Sequence, residues 1–289
     1  MPESQSPSTT RRRLRMELKA LRERSKLNQK EVVAELDWSQ SKLIRIENGS
    51  VGVSVTDVRA LLGLYKASEE TVDELVALAR AARVKRWWTE YRDVISPRLQ
   101  EFMGFEADAT HLRQFHATLV PGLLQIEAYI RAVGPDLMLT PISDERSEYF
   151  VRVRLRRQKE LLHSEHPPAF TAVVDEAVLH RQVGGAEAMR AQLLHLADLQ
   201  SRGKVSLGIV PFSAGAHFGM MGSFHILELI PDEPDSSLLY LEDAQSAILL
   251  QDNPELMAQY QRRFDELLEM SVRGDEAVRF LRKLSEATG

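Results

Sequence analysis

The sequence predicts a two-part protein: an all-α head of five short helices followed by an α+β body. Three observations predict it. The chain has 289 residues, enough for about two domains at roughly 150 residues each. Its formal charge of −5 divides unevenly, with +5 up to Lys66 and −10 beyond it, so the two parts have different electrostatic characters. Up to about residue 82 the apolar residues recur at helical spacing, whereas later stretches mix β-rich runs with helical ones. The boundaries read as a disordered tail over 1–11, a helical head over 12–82, a connecting helix over 83–97 and the body over 98–289.

Composition narrows the class. Hydrophobic residues make 44% and charged residues 27% of the chain, ordinary proportions for a globular protein. The absence of cysteine removes disulfides, thiolate zinc sites, iron–sulfur clusters and cysteine nucleophiles together. No apolar run approaches the roughly 18 residues of a membrane span. The polar, proline-bearing start has no apolar core of a signal peptide, and a cytoplasmic protein is the expectation.

In the head, Leu14, Leu18 and Leu21 predict a first helix from about Arg12 to Ser25. Asn28 followed by Glu31 is a capping-box pattern that opens a second, with Val32, Val33 and Leu36 as its apolar face. Ser39 caps a third helix that runs to Asn48 and stops at Gly49, with Leu43 and Ile46 pointing inward. Ser54 with Asp57 opens a fourth, striped by Val58, Leu61, Leu62 and Tyr65. Ser68 caps a fifth, with Glu69 and Glu70 where the helix dipole favours acids. A three-residue turn separates the second and third helices, which is the helix-turn-helix arrangement.

The run Asn28-Gln-Lys-Glu-Val-Val-Ala-Glu-Leu-Asp-Trp-Ser-Gln-Ser-Lys-Leu-Ile-Arg-Ile-Glu-Asn-Gly49 resembles the Xre-type, phage-repressor-like helix-turn-helix. Two positions depart from the usual pattern: Asp37 stands for the turn glycine and Val33 for a small alanine. Asp tolerates a left-handed backbone better than most residues, so the turn is expected to survive. The resemblance implies that the start of the third helix enters the major groove. Ser39, Gln40, Ser41, Lys42 and Arg45 then form the DNA-contacting set, since Gln pairs with adenine and Arg or Lys with guanine. Gln29 is expected near a phosphate and, by the same resemblance, braced against Gln40. Arg11, Arg12, Arg13 and Arg15 are candidates for a DNA-contacting arm, with a solvated tail as the even alternative for the Arg11–Arg13 run. Glu47 is expected to pair with an arginine of the first helix such as Arg22, and Trp38 to join the core.

In the body, Trp87, Trp88 and Tyr91 read as docking residues of the connecting helix, which Pro97 ends. The pattern continues as a helix from Leu99 to Ala109, a strand from His111 to Val120 and a helix from Leu123 to Val133. A long helix runs from Ser143 to His163, followed by a strand over Phe170–Val174. A helix over Gly185–Ser201 precedes strands at Val205–Val210, Ser223–Ile230, Ser237–Leu241 and Ser246–Leu250. Helices from Pro254 to Val272 and from Asp275 to Glu286 close the chain. No nucleophile elbow, phosphate-binding loop or paired-histidine zinc motif occurs, and Asp175-Glu176 reads as a helix cap. No catalytic residue, metal ligand or cofactor is expected, and the chain is read as a non-enzyme.

A second set of motifs is Trp87-Trp88, Leu119-Val-Pro-Gly-Leu-Leu-Gln125, Asp175-Glu-Ala-Val-Leu179, Val183-Gly-Gly185 and Val210-Pro-Phe-Ser-Ala-Gly-Ala-His217. These resemble the C-terminal domain of a large family of actinomycete regulators described as antitoxin-like. That resemblance implies DNA-dependent regulation and frequent pairing with a small acidic protein encoded nearby. Phe212, His217, Phe218, Arg152 and Arg156 are the speculative partner or ligand residues. The expected whole is a homodimeric, sequence-specific transcriptional regulator that binds a double-stranded operator. The alternative is a ligand-sensing or enzymatic body fused to a DNA-binding head.

Overall fold

The computed structural model describes residues 6–49, 51–84, 86–93, 95–136, 143–230, 236–242, 247–250 and 253–288. The chain divides into two compact units, Met1–Thr89 with Met103–Asp108, and Glu90–Phe102 with Ala109–Gly289.

The first unit contains helices α1 (Pro7–Arg24), α2 (Gln29–Glu35), α3 (Gln40–Glu47), α4 (Val55–Leu64) and α5 (Glu69–Ala81). The caps are those the sequence marks. Asn28 and Glu31 form a reciprocal capping box on α2, and Ser39, Ser54 and Ser68 each accept a first-turn N–H. Leu14, Leu18, Val32, Leu43, Val58, Leu61, Leu62 and Leu75 interlock as a dry core.

Helices α1, α2 and α4 end through left-handed residues that are not glycine: Lys26, Asp37 and Lys66, at φ 57°, 53° and 55°. In each case the next residue's N–H reaches back to an orphan carbonyl, as from Trp38 to Val33 at 2.9 Å and from Ala67 to Leu62 at 3.0 Å. Those bonds offset the steric cost of the left-handed backbone. The turn between α2 and α3 thus forms without its usual glycine.

The N-terminus differs from the expected tail. Helix α1 begins at Pro7, five residues before Arg12, because Ser6-Pro7 is itself a start signal: Ser6 Oγ accepts the Thr9 N–H and Pro7 occupies the first turn. The Ser6 N–H is tied to Asp108 at 2.7 Å, and Pro7 to Thr10 are buried. Gly104 makes room for this, since a Cβ there would lie 2.2 Å from Ser8 Oγ. Residues 1–5 of that tail lie outside the described residues.

The second unit is built on a seven-stranded mixed sheet with the order β6-β5-β4-β1-β2-β3-β7. Strands β1 (His111–His116), β2 (Ala169–Asp175) and β3 (Ser206–Val210) run parallel. Strands β4 (Phe224–Glu228), β5 (Leu238–Glu242) and β6 (Ala247–Leu250) extend the sheet antiparallel beyond β1. The two-residue β7 (Val272–Arg273) closes the other edge against β3. Helices α6 (Pro97–Ala107), α7 (Glu127–Asp136), α8 (Asp144–Leu162), α9 (Glu176–His180), α10 (Gly185–Ser201), α11 (Pro254–Glu269) and α12 (Gly274–Ala287) complete the order. On one face, Phe115, Val173, Phe224 and Ile226 pack under Met257, Phe264 and Leu267 of α11.

Several elements differ from the sequence reading. Where a connecting helix was expected over 83–97, the described residues hold a 3-10 stretch, Trp87–Tyr91. Too few residues separate it from Ser96-Pro97 to nucleate an α-helix. Pro97 opens α6 rather than ending a segment, with Ser96 as its cap at 3.2 Å from the Leu99 N–H. Strand β1 stops at His116, short of Val120, because side chains take over the backbone groups beyond. The Tyr129 hydroxyl accepts the Val120 N–H, and the Gln125 amide donates to the Val120 carbonyl. The helix expected to reach Val272 ends at Glu269, where Val272 and Arg273 pair with β3. Ser246, the expected start of the last strand, lies outside the described residues.

The second face of the sheet is polar at its centre. Gln114 pairs with His225 across β1 and β4, the His116 and His225 rings are 5.0 Å apart, and all three side chains are buried. Burial, reinforced by the charge of Arg157, pushes the pKa of His225 down to about 3. The folded chain therefore holds this histidine neutral, while the unfolded chain protonates it near pH 6.5. As pH falls below about 6.5 the unfolded state binds the proton first, so stability is lost progressively until about pH 3. His195, lowered by burial, adds the same sign. Thermal melts between pH 7.5 and 5 are expected to lose about 1.4 kcal/mol per pH unit below pH 6.5 from His225. A melting temperature independent of pH over that interval would contradict this.

Candidate nucleic-acid interface

Helix α3 divides its residues between two tasks. Leu43 and Ile46 are buried in the head. Ser39 is the cap, its Oγ accepting the Lys42 N–H at 3.2 Å. Lys42 turns sideways: its Nζ lies 2.6 Å from Asp57 of α4 and 3.7 Å from the centre of the Trp38 ring. Burial raises the pKa of Asp57, but the bonds from Lys42 and Ser54 outweigh it, and the net shift is downward.

At the far end of α3, Glu47 is a junction. Arg22 of α1 grips it with Nε at 2.6 Å and Nη2 at 3.3 Å, and the Gln29 amide donates to it at 2.7 Å. Burial lowers the pKa of Arg22, yet the bond and charge of Glu47 more than compensate, so its pKa is raised. The Tyr65 hydroxyl is pushed up to about 12, first by burial and then by the charge of Glu47. Arg15 donates to the Asn48 carbonyl at 3.1 Å, placing a cation at the negative end of α3.

What remains outward on α3 is Gln40, Ser41, Ile44 and Arg45, all exposed. Arg45 Nε donates to the Ser41 carbonyl at 3.2 Å. A shallow hollow beside this face is lined by Arg22, Asn28, Gln29, Lys30 and Gln40.

In the body, the carboxyl ends of the parallel strands are covered by the chain from Pro211 to Ser223. The His217 side chain is only 4% exposed there, with Nε2 3.1 Å from Asp175 at the end of β2. The Phe212 N–H donates to Glu176 at 2.7 Å, and Glu176 also bonds His180 at 3.1 Å. Gly219 lies flat on the Phe115 ring, where a Cβ would come within 2.1 Å. Phe212, Met220 and Met221 stand exposed at 60%, 68% and 83%, an apolar rim above a latched loop.

A family model described as a domain of unknown function, DUF5753, matches residues 99–283. The chain belongs to the DUF5753 family. A second model, described as a helix-turn-helix domain, matches residues 13–75. No curated protein and no solved structure matches the chain. A helix-turn-helix head joined to a DUF5753 domain places the protein among DNA-binding, transcription-regulator-like chains.

The predicted DNA-contacting residues therefore do not share one fate. Gln40, Ser41 and Arg45 present their side chains outward, whereas Lys42 is engaged with Asp57 and Trp38, and Ser39 with the helix it caps. Gln29 bonds Glu47 instead of Gln40, because Glu47 lies within reach and carries the charge. Arg22 is the partner of Glu47, as expected. The arginine arm is corrected: the run belongs to α1, Arg12 is buried, Arg13 pairs with Glu74 at 2.7 Å, and Arg11 rests near Ser8 at 3.4 Å.

The predicted partner residues of the DUF5753 domain also separate. Phe212 is on the exposed rim, His217 is the latch, and Phe218 packs edge-on against Phe224 and Tyr260. On α8, Arg152 is exposed and lies over Tyr149, while Arg156 faces Glu90 at 3.5 Å and Glu160 at 3.7 Å. The Val-Pro-Gly-Leu-Leu-Gln motif is a structural node: Gln158 donates to the Gly122 and Gln125 carbonyls, Arg154 to the Gln125 side chain, and Gln192 to the Leu124 carbonyl. Sequence reasoning missed Ile44 as an outward residue and Met220-Met221 as an apolar rim. Among the described residues no helix is long and apolar enough to cross a membrane, and no cluster of three or more histidine and acidic residues is placed to hold a metal ion.

Proposed function

We propose that the chain is a cytoplasmic, sequence-specific transcriptional regulator with an Xre-type head, and that it is not an enzyme. The head reads an operator half-site with Gln40, Ser41 and Arg45. The observation that carries this reading is the outward face of α3, where Gln40, Ser41 and Arg45 take no part in the core, presented on a head whose segment up to Lys66 has a net charge of +5. The acidic remainder, at −10, is repelled by DNA and favours approach through the head.

The body pairs two copies, so that two heads meet two half-sites one helical turn apart, and it receives a small acidic protein or an effector. The exposed rim of Phe212, Met220 and Met221 supports an apolar contact for such a partner. An acidic partner on an acidic body needs apolar contacts or local cations such as Arg152.

The experiment is selection of duplexes from a random pool by the full-length protein at fixed salt, with sedimentation in parallel. A palindromic sequence is expected to be enriched, and the protein to sediment at twice the 32.8 kDa of the chain. Enrichment of no sequence overturns the operator reading. A monomer at every concentration removes the body as dimer-maker.

A further inference from the structure

The outward face of α3 contains one residue that hydrogen bonding does not explain. Ile44 is 39% exposed, and it belongs neither to the buried core of the head nor to the partly buried residues packed against that core. Its β-branched side chain lowers helix propensity on an eight-residue helix, so neither packing nor local structure calls for isoleucine at this position. It lies three residues from Ser41 and four from Gln40, on the same side of the helix as both.

We propose that Ile44 reads the C5-methyl group of a thymine in each operator half-site, between the polar contacts of Gln40, Ser41 and Arg45. This rests on the operator-reading function proposed above. Among the base edges of the major groove, the thymine methyl is the apolar one; the others offer hydrogen-bond donors and acceptors. An aliphatic side chain pressed on those edges strips them of water and returns no bond, which costs free energy. On the methyl it buries apolar surface instead. The face of α3 therefore fits a half-site in which a thymine adjoins the bases met by Gln40, Ser41 and Arg45.

The test uses the full-length protein and the duplex it selects. Each thymine is replaced singly by deoxyuridine, which removes the methyl and leaves the hydrogen-bonding edge unchanged. Wild-type protein is expected to bind about fourfold more weakly when one particular thymine of a half-site is replaced, the factor for one buried methyl at about 0.8 kcal/mol. The Ile44→Ala variant is expected to melt as wild type does and to bind both duplexes equally. The proposal is overturned if wild type is indifferent to every replacement, or if Ile44→Ala keeps the same methyl dependence. Selection of no sequence overturns the operator reading itself, an outcome distinct from these two.

Discussion

Replacing Arg45 by alanine is expected to weaken binding to the selected operator by about tenfold to a hundredfold, the range of one good bidentate base contact. The melting temperature is expected to stay unchanged, because Arg45 is exposed and its side-chain bond to the Ser41 carbonyl lies within its own helix. The loss should be specific: affinity for unrelated duplexes, which depends on phosphate contacts, changes far less than affinity for the operator. Gel-shift titration at a single salt concentration reads both. An unchanged operator curve would remove Arg45 from the reading face and, with it, the guanine expected in the half-site.

Replacing Glu47 by alanine is expected to damage the head itself. It takes from Arg22, whose side chain is 12% exposed, the 10% exposed carboxylate that grips it, leaving the Leu27 carbonyl at 3.0 Å and Glu23 at 3.8 Å. It also releases the Gln29 amide. Breaking a largely buried, two-pronged ion pair costs about 3 kcal/mol, which lowers the melting temperature of a head of this size by roughly 12–24 °C. Calorimetry of the full chain measures it. The double replacement Arg22→Met with Glu47→Leu is expected to recover most of the loss, since it removes the stranded charge. A single variant that melts within about 3 °C of wild type would mean that the pair contributes little, as exposed pairs do.

The head was legible because its signals are local. Caps, helical spacing and the tolerance of Asp37 for a left-handed backbone act over three to five residues, and each recurs in the fold. The pairing of Glu47 with Arg22 was legible for the same reason that the helix-turn-helix was: the motif fixes which helices meet. Ser6-Pro7 carried the start of α1 in plain view, and the polar composition around it masked the signal. The diversion of Lys42 was not legible, because Asp57 comes from a helix fifteen residues away in sequence. Ile44 sits beside Leu43 and close to Ile46, so in sequence it merges with the core stripe. In the body, strands and helices could be marked, but not the order of the sheet. Which strands neighbour one another depends on pairings more than fifty residues apart, as between His111 and Ala169. The two-residue β7 is too short to have a periodicity at all.

The division of labour along α3 has an evolutionary consequence. Its inward residues, its cap and its lateral ties, Lys42 to Asp57 and Glu47 to Arg22, are committed to the fold, while Gln40, Ser41, Ile44 and Arg45 owe the core nothing. Substitutions at those four positions are filtered by what the face touches and not by whether the head folds. A duplicated copy of this gene can therefore drift to a new target through a handful of changes, each viable alone, with no compensating repair elsewhere in the head.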